Sequence, residues 1–346
     1  MEENLRLRVS SSPHVSSPET VRSVMLDVII AMMPILVAAT AIFGLRALIV
    51  TLFSVISCVL VELAIVKSFG IENRICDLSA VVTGMLLAFV LPPGVPLWVV
   101  FIGALVSIAI AKMVYGGIGN NLFNPALVGR AFLLASWPPA ITTWTLPALL
   151  GANKFAFGGD YVSDAVTGAT PLAVIKESGF IYDLGKLFTS IPAAKGFSIE
   201  SLFWGNVGGC IGETSVIAIL IGAAYLFYRK HISWHIPIPY ILTVFALTFL
   251  YNGSGRFNIT ASFIHILAGG LMLGAFFMAT DMVTSPITPK GKVIFGVGAG
   301  IIVYMIRLFG AYPEGVCYSI LIMNACTPLL DRWTRPRVFG EGVKAQ

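Results

Sequence analysis

Apolar runs follow one another along this chain, each near the length that crosses a bilayer and each closed by a polar, basic or Pro-Gly stretch. A crossing helix needs about 20 mostly apolar residues at about 1.5 Å rise each. On that scale the chain offers about ten spans, over residues 24–43, 47–66, 78–91, 97–114, 122–137, 207–227, 236–250, 263–279, 293–309 and 316–330. Only 11% of the residues are charged, against about 25% in soluble domains. A water-soluble surface cannot be built from so little charge. The expected class is therefore an all-α integral membrane protein, with the lipid bilayer as its surroundings and no nucleic-acid partner. Residues 78–91 form a short run that ends in Pro92-Pro93-Gly94, as a half-helix does where its unwound backbone is buried in protein.

Lys and Arg close to the spans stay in the cytoplasm, and this sets the orientation. With the N-terminus inside, the cytoplasmic segments collect Arg6, Arg8, Arg22, Lys67, Arg74, Arg229, Lys230, Lys290, Lys292, Arg332, Arg335 and Arg337, while the short outer loops hold little beyond Arg46 and Arg256. Both termini are then cytoplasmic, and the long segment 138–206 is an extracytoplasmic loop. Loops of that length are usually functional. An internal echo, TGMLLAF from Thr83 and GGLMLGAF from Gly269, lies five spans apart. An odd offset inverts the second copy, which gives two inverted five-helix repeats with a site at their interface. The expected division is a tail over 1–22, a first repeat over 23–137, the loop over 138–206, a second repeat over 207–330 and a tail over 331–346.

Inside the loop runs DAVTGATPLAVIKE, from Asp164 to Glu177. The plain reading makes Thr170 an N-cap and Pro171 the first residue of a short helix. The same geometry suits a phosphate, because a helix start offers free N–H groups and the positive end of the dipole. The run Asp164-x-x-Thr167-Gly168-Ala169-Thr170 matches D-x-x-[ST]-G-A-[ST], the pattern at which flavin transferases esterify FMN to the last hydroxyl residue.

From about Arg22 to Leu330 the chain resembles the D subunit of the Rnf complex, a membrane-bound ferredoxin:NAD oxidoreductase. It is also similar to the homologous B subunit of the sodium-pumping NADH:quinone oxidoreductase. The likeness includes GNNLFNPALVGRAF (119–132) and FFMATDMVTSPITPKG (276–291), and the short N-terminal tail favours the Rnf branch. The resemblance implies a prokaryotic inner (plasma) membrane location and covalent FMN on Thr170, with Asp164, Thr167, Gly168 and Ala169 as the attachment motif. It further implies loading by a flavin transferase outside the membrane, and membrane and peripheral partner subunits in an Na+- or H+-translocating complex. A second, non-covalent flavin, riboflavin, is implied near Thr83, Asn121, Asn124 and Asp281.

Charge topology alone brings Thr83, Asn121, Asn124 and Asp281 to one membrane side, with helix capping as the plain alternative for the asparagines. The Asn124-Pro125-Ala126 triplet invites a water-channel reading, but its only echo is Asn324-Ala325-Cys326. Ionisable residues within spans, Asp27, Glu62, Arg130, Glu213, His265 and Arg307, are functional candidates by default. The plain alternatives are an Arg130–Glu213 pair between helices and an Arg307 that snorkels to the interface. Cys58, Cys76, Cys210, Cys317 and Cys326 form no CxxC pair, so no metal site is expected. The chain also lacks a GxGxxG strand-turn-helix. The expected role is that of an electron-carrying flavoprotein subunit, not catalytic alone. A secondary transporter or channel without redox role is the alternative.

Overall fold

The computed structural model describes residues 19–70, 75–144, 170–177, 199–205, 207–252, 257–310 and 312–336. Regular structure among the described residues is helical, without strands. Helix α1 is Val21–Phe43, α2 Leu45–Phe69, α3 Ser79–Phe89, α4 Leu97–Leu105 running on as a π-helix over Val106–Met113, and α5 Pro125–Ser136. Three short helices follow: α6 Pro138–Thr142, α7 Pro171–Glu177 and α8 Ile199–Trp204. The rest are α9 Val216–Tyr228, α10 Pro237–Leu250, α11 Ile259–Leu267, α12 Leu271–Leu273 running on as a π-helix over Gly274–Met278, α13 Pro289–Phe309 and α14 Val316–Trp333.

Helices α1, α2 and α13 are each long and apolar enough to cross a membrane, and α11 with α12 and its π-extension make a fourth across a 64° bend. A helix or helix pair covers each expected run, but two runs are interrupted. Residues 207–215, expected as the start of a span, are irregular, and helix α9 begins only at Val216, behind its Ser215 cap. Gly208, Gly209 and Gly212 weaken helix there, at about 1 kcal/mol each. The run expected over 263–279 breaks at Gly269 and Gly270, whose φ of 73° and 68° lie in the left-handed region open to glycine.

Both breaks leave helix carbonyls that must find donors. At the end of α3, the N–H groups of Ile211 and Gly212 donate to the carbonyls of Leu91 (3.0 Å) and Phe89 (2.9 Å), and the Cys210 thiol to that of Val90 (3.2 Å). The irregular segment thus completes the half-helix. At the end of α11, the Arg307 guanidinium donates to the carbonyls of His265, Ala268 (3.3 Å) and Gly269 (3.2 Å). Arg307 is buried, so the expectation that it snorkels to an interface is corrected: the broken helix consumes its donors.

Helix α1 packs on α9, α5 on α14, α2 on α3 and α4, and α10 on α11 and α13. The first contact is backbone-close, because a Cβ at Gly222 would stand 2.1 Å from the Ala31 carbonyl oxygen. A buried polar hub joins the same two helices. Asp27 of α1 accepts from Tyr225 Oη (2.8 Å), Arg229 Nε (2.9 Å) and His231 Nε2 (2.7 Å).

Candidate functional site

Helix α7 carries Thr170 at its N-terminal edge. The hydroxyl oxygen accepts from the Ala173 N–H at 3.2 Å, so the capping geometry expected from the sequence is present, and Thr170 is 3% exposed. Leu172 and Ile175 pack with Leu202, Val207, Ala261, Ile264 and Ala268, and Lys176 donates to the carbonyls of Gly310 and Tyr312. Burial pushes the Lys176 ammonium below its ordinary pKa. These contacts hold α7 against α11 and against Gly310 and Tyr312. Asp164, Thr167, Gly168 and Ala169 lie outside the described residues.

Beside α7 opens a cavity of about 410 Å³, reached by Ala173 and Glu177 of α7, Trp144, and Gly269 and Gly270 of the helix break. That volume is within the roughly 300–1,000 Å³ usual for small-molecule sites, and its mostly apolar wall with a few convergent polar groups is the usual chemistry of such sites. The charged groups are Arg130, Glu177, Glu213 and Glu314, and Thr142, Tyr312 and Tyr318 add hydroxyls. Arg130 pairs with Glu314 rather than with Glu213, which corrects the expected partner. Glu213 instead accepts from the Cys210 N–H at 2.8 Å. One carboxylate is thus paired with the guanidinium, and the other is held by the backbone. Arg130 Nε and Glu314 Oε1 are buried without hydrogen-bond partners among the described residues. Cys210, Glu213 and Glu314 bring their ligand atoms within 4.8 Å of one another, where the Arg130 guanidinium already supplies positive charge. Glu314 does not stand out in the sequence, because it sits in a short polar loop that looks like an ordinary connection.

At the other ends of α3 and α5, a second cavity of about 100 Å³ brings Thr83, Asn121, Asn124 and Asp281 together. These four are the residues that sequence topology assigns to one membrane face. Asn124 caps α5 through the Ala126 N–H (3.1 Å) and donates to the Met278 carbonyl (3.3 Å). Thr83 donates to its own helix at Ser79 (2.9 Å). Asp281 accepts from the Val283 N–H (3.4 Å) and Thr284 Oγ1 (3.3 Å), and burial pushes its carboxyl above the ordinary pKa. Asn121 does not cap a helix, and its Oδ1 is buried without a partner among the described residues. An unmet acceptor of that kind invites a ligand N–H. Lys112, on the π-turn of α4, also lines this cavity and donates to Glu62 (2.7 and 2.8 Å) and Ser79 Oγ (2.8 Å). Sequence reading misses Lys112, although a lysine inside the apolar run 97–114 is a visible signal.

The two cavities lie along the same walls. Helix α5 offers Asn124 and Pro125 to one and Leu127, Arg130 and Leu134 to the other, so the two cavities meet the helix within a turn of each other and extend over roughly 15 Å of it at 1.5 Å per residue.

The model of the NQR2, RnfD, RnfE family matches residues 8–340. Among curated relatives, the chain is 45% identical over 96% of its length, and 96% of the relative's, to the D subunit of the proton-translocating ferredoxin:NAD(+) oxidoreductase complex of Clostridium ljungdahlii. It is 44% identical, over 97% of its length and 96% of the relative's, to the D subunit of the Na(+)-translocating ferredoxin:NAD(+) oxidoreductase complex of Acetobacterium woodii. To the D subunit of the ion-translocating oxidoreductase complex of Stutzerimonas stutzeri it is 37% identical, over 94% of both.

Proposed function

This chain belongs to the NQR2, RnfD, RnfE family, and from that premise we propose that it is the electron-carrying D subunit of an ion-translocating ferredoxin:NAD oxidoreductase complex. In this reading FMN is esterified to Thr170. The observation that carries it is the coincidence of full-length similarity to two D subunits with the Asp164–Thr170 attachment pattern. FMN, when bound, supplies one- and two-electron chemistry; the protein supplies position and electrostatics.

Several features support the assignment of residues. Thr170 does not itself line the larger cavity, but its Oγ1 lies 3.2 Å from the nitrogen of Ala173, which does, so a group on that oxygen would start within one helical turn of the cavity. The cavity pairs an apolar wall with one charged end, as a flavin ring pairs an apolar xylene side with a polar pyrimidine edge. Arg130 contributes positive charge there, paired with Glu314, and Glu177 and Glu213 add carboxyl groups. At the smaller cavity, Asn121, Asn124, Thr83 and Asp281 offer amide, hydroxyl and carboxyl groups for riboflavin. The enclosed space of about 100 Å³ is below the usual ligand range, so entry requires side chains to yield.

Ten crossings in two inverted repeats, both termini cytoplasmic and residues 138–206 outside, complete the proposal. The pairing of α1 with α9 and of α5 with α14, first with first and last with last, supports the repeats. So does the entry of both α3 and α12 through a left-handed residue, Leu78 (φ 61°) and Gly270. Two relatives of almost equal identity are named for different cations, so similarity does not choose between Na+ and H+. A transporter without redox role is favoured by the broken helices alone, and it leaves the attachment pattern unexplained.

In-gel fluorescence after denaturation separates the readings. The chain matured with its flavin transferase should glow and Thr170→Ala should be dark. A dark parent chain, or a glowing variant, removes the flavin assignment.

A further inference from the structure

A third cavity, of about 210 Å³, opens where the α9–α10 turn meets residues 280–287 and the first turn of α13. It adjoins the Asn121 cavity, sharing His231, Ile232, Thr280 and Met282 with it, but its own chemistry differs. Ser233, Ser285, His231 and Lys292 bring two hydroxyls, an imidazole and an ammonium to one space. Ser285 is buried at the cavity wall. The His231 side chain is 5% exposed, and its Nε2 is engaged by Asp27 at 2.7 Å. A carboxylate can only accept, so Nε2 carries the hydrogen and Nδ1 of the neutral ring is an acceptor; His231 walls the cavity without donating into it. Lys292 is half-buried and forms no ion pair among the described residues, and it stands within the first turn of a 21-residue helix, where the dipole is positive. The carboxylates nearby are already engaged: Asp27 by Tyr225, Arg229 and His231, Asp281 by Val283 and Thr284, and Asp331 by the Ile287 N–H at 2.9 Å.

The donors that face this cavity are therefore the Ser233 and Ser285 hydroxyls and the Lys292 ammonium. The volume is below that of a site for a whole nucleotide or drug-sized ligand and suits a single anionic group. Its rim places it at headgroup depth. Tyr228 (83% exposed) and Trp234 (54% exposed) stand beside it, as aromatic side chains do at a membrane interface, and the exposed Arg229 and Lys230 add positive charge. Basic pockets between membrane helices bind anionic headgroups in this way.

We propose that the cavity where Ser233, Ser285 and Lys292 converge is a phosphate site that takes the headgroup of an anionic phospholipid. The inference rests on the chain spanning a membrane and not on the flavin assignment. A bound headgroup would bridge the α9–α10 turn, the 280–287 segment and α13.

Native mass spectrometry of the full chain in detergent provides the test, with phosphatidylglycerol, phosphatidylcholine and inorganic phosphate as probes. One phosphatidylglycerol should be retained where phosphatidylcholine is not, and Lys292→Gln/Ser285→Ala should weaken its binding tenfold or more. Lys290→Gln, on the same turn but outside the cavity, should leave it unchanged. Competition by inorganic phosphate, with no retained lipid, would keep the phosphate site but overturn its assignment to a lipid in favour of a soluble ligand. Equal retention of both lipids, or undiminished phosphatidylglycerol binding by the double variant together with no phosphate effect, overturns the proposal. Should the double variant unfold, Lys292→Gln alone carries the comparison, since Lys292 makes no ion pair among the described residues.

Discussion

The Thr170-side cavity and the Asn121-side cavity are walled by the same helices, yet their charges are organised in opposite ways. On the Thr170 side the charges face open space: the Arg130 guanidinium pairs with Glu314 while Glu177 and Glu213 line the same cavity, and Arg130 Nε and Glu314 Oε1 lack partners among the described residues. On the Asn121 side the charge is closed up, since Lys112 spends all three of its hydrogens on Glu62 and Ser79, and the unmet group is one neutral amide oxygen. The larger cavity is thus prepared for a polar, charge-bearing group, and the smaller one for a neutral hydrogen-bonding edge. In the proposed reading the larger cavity would face the ring of the FMN tethered at Thr170, and the smaller one an untethered flavin.

The largest effect should come from opening the closed side. Glu62 and Lys112 are both almost fully buried, and removing one partner of such a pair typically costs about 3–5 kcal/mol. Lys112→Met should lower the thermal unfolding midpoint in detergent sharply, and Glu62→Leu/Lys112→Met should recover most of the loss. A single variant as stable as its parent would mean that the pair is open to water, and the contrast between the cavities would fail.

Next in size is Arg307→Leu, which leaves the carbonyls of His265, Ala268 and Gly269 without their guanidinium donors. At about 1 kcal/mol or more for each buried group, the loss should be roughly 3 kcal/mol. Hydrogen exchange should show it as faster opening around the 259–278 break. Unchanged exchange there would return Arg307 to the snorkelling role.

Asn121→Ala should be the mildest for folding, because it removes an acceptor that already lacks a partner. Its effect belongs to the ligand: acid-extractable flavin should weaken in binding by up to tenfold, at about 1.4 kcal/mol per decade, while protein-bound flavin stays constant. Asn124 is the poorer probe, since it also caps α5.

Where the fold is legible in the sequence, it is through periodicity and charge. Runs of apolar residues locate the helices, and the parity of spans brings Thr83, Asn121, Asn124 and Asp281 to one face, where the second cavity lies. Hydropathy cannot show the break at Gly269-Gly270 or the irregular stretch before Val216, because glycine-rich apolar sequence scores the same whether it is helical or unwound. Nor can it pair Arg130 with Glu314 or send Arg307 to the end of α11. Those partners lie 184 and 38–42 residues away, and only packing decides them.

The account turns on Thr170, and peptide mass spectrometry addresses it directly. The chain produced together with its flavin transferase should yield a Thr170-containing peptide heavier by one FMN less water, with fragment ions placing the added mass on Thr170 and not on Thr167. The same chain produced without the transferase should yield that peptide unmodified. An unmodified Thr170 in the presence of an active transferase, or flavin on another residue, would contradict the assignment and leave the capping hydrogen bond to Ala173 as the whole role of this threonine.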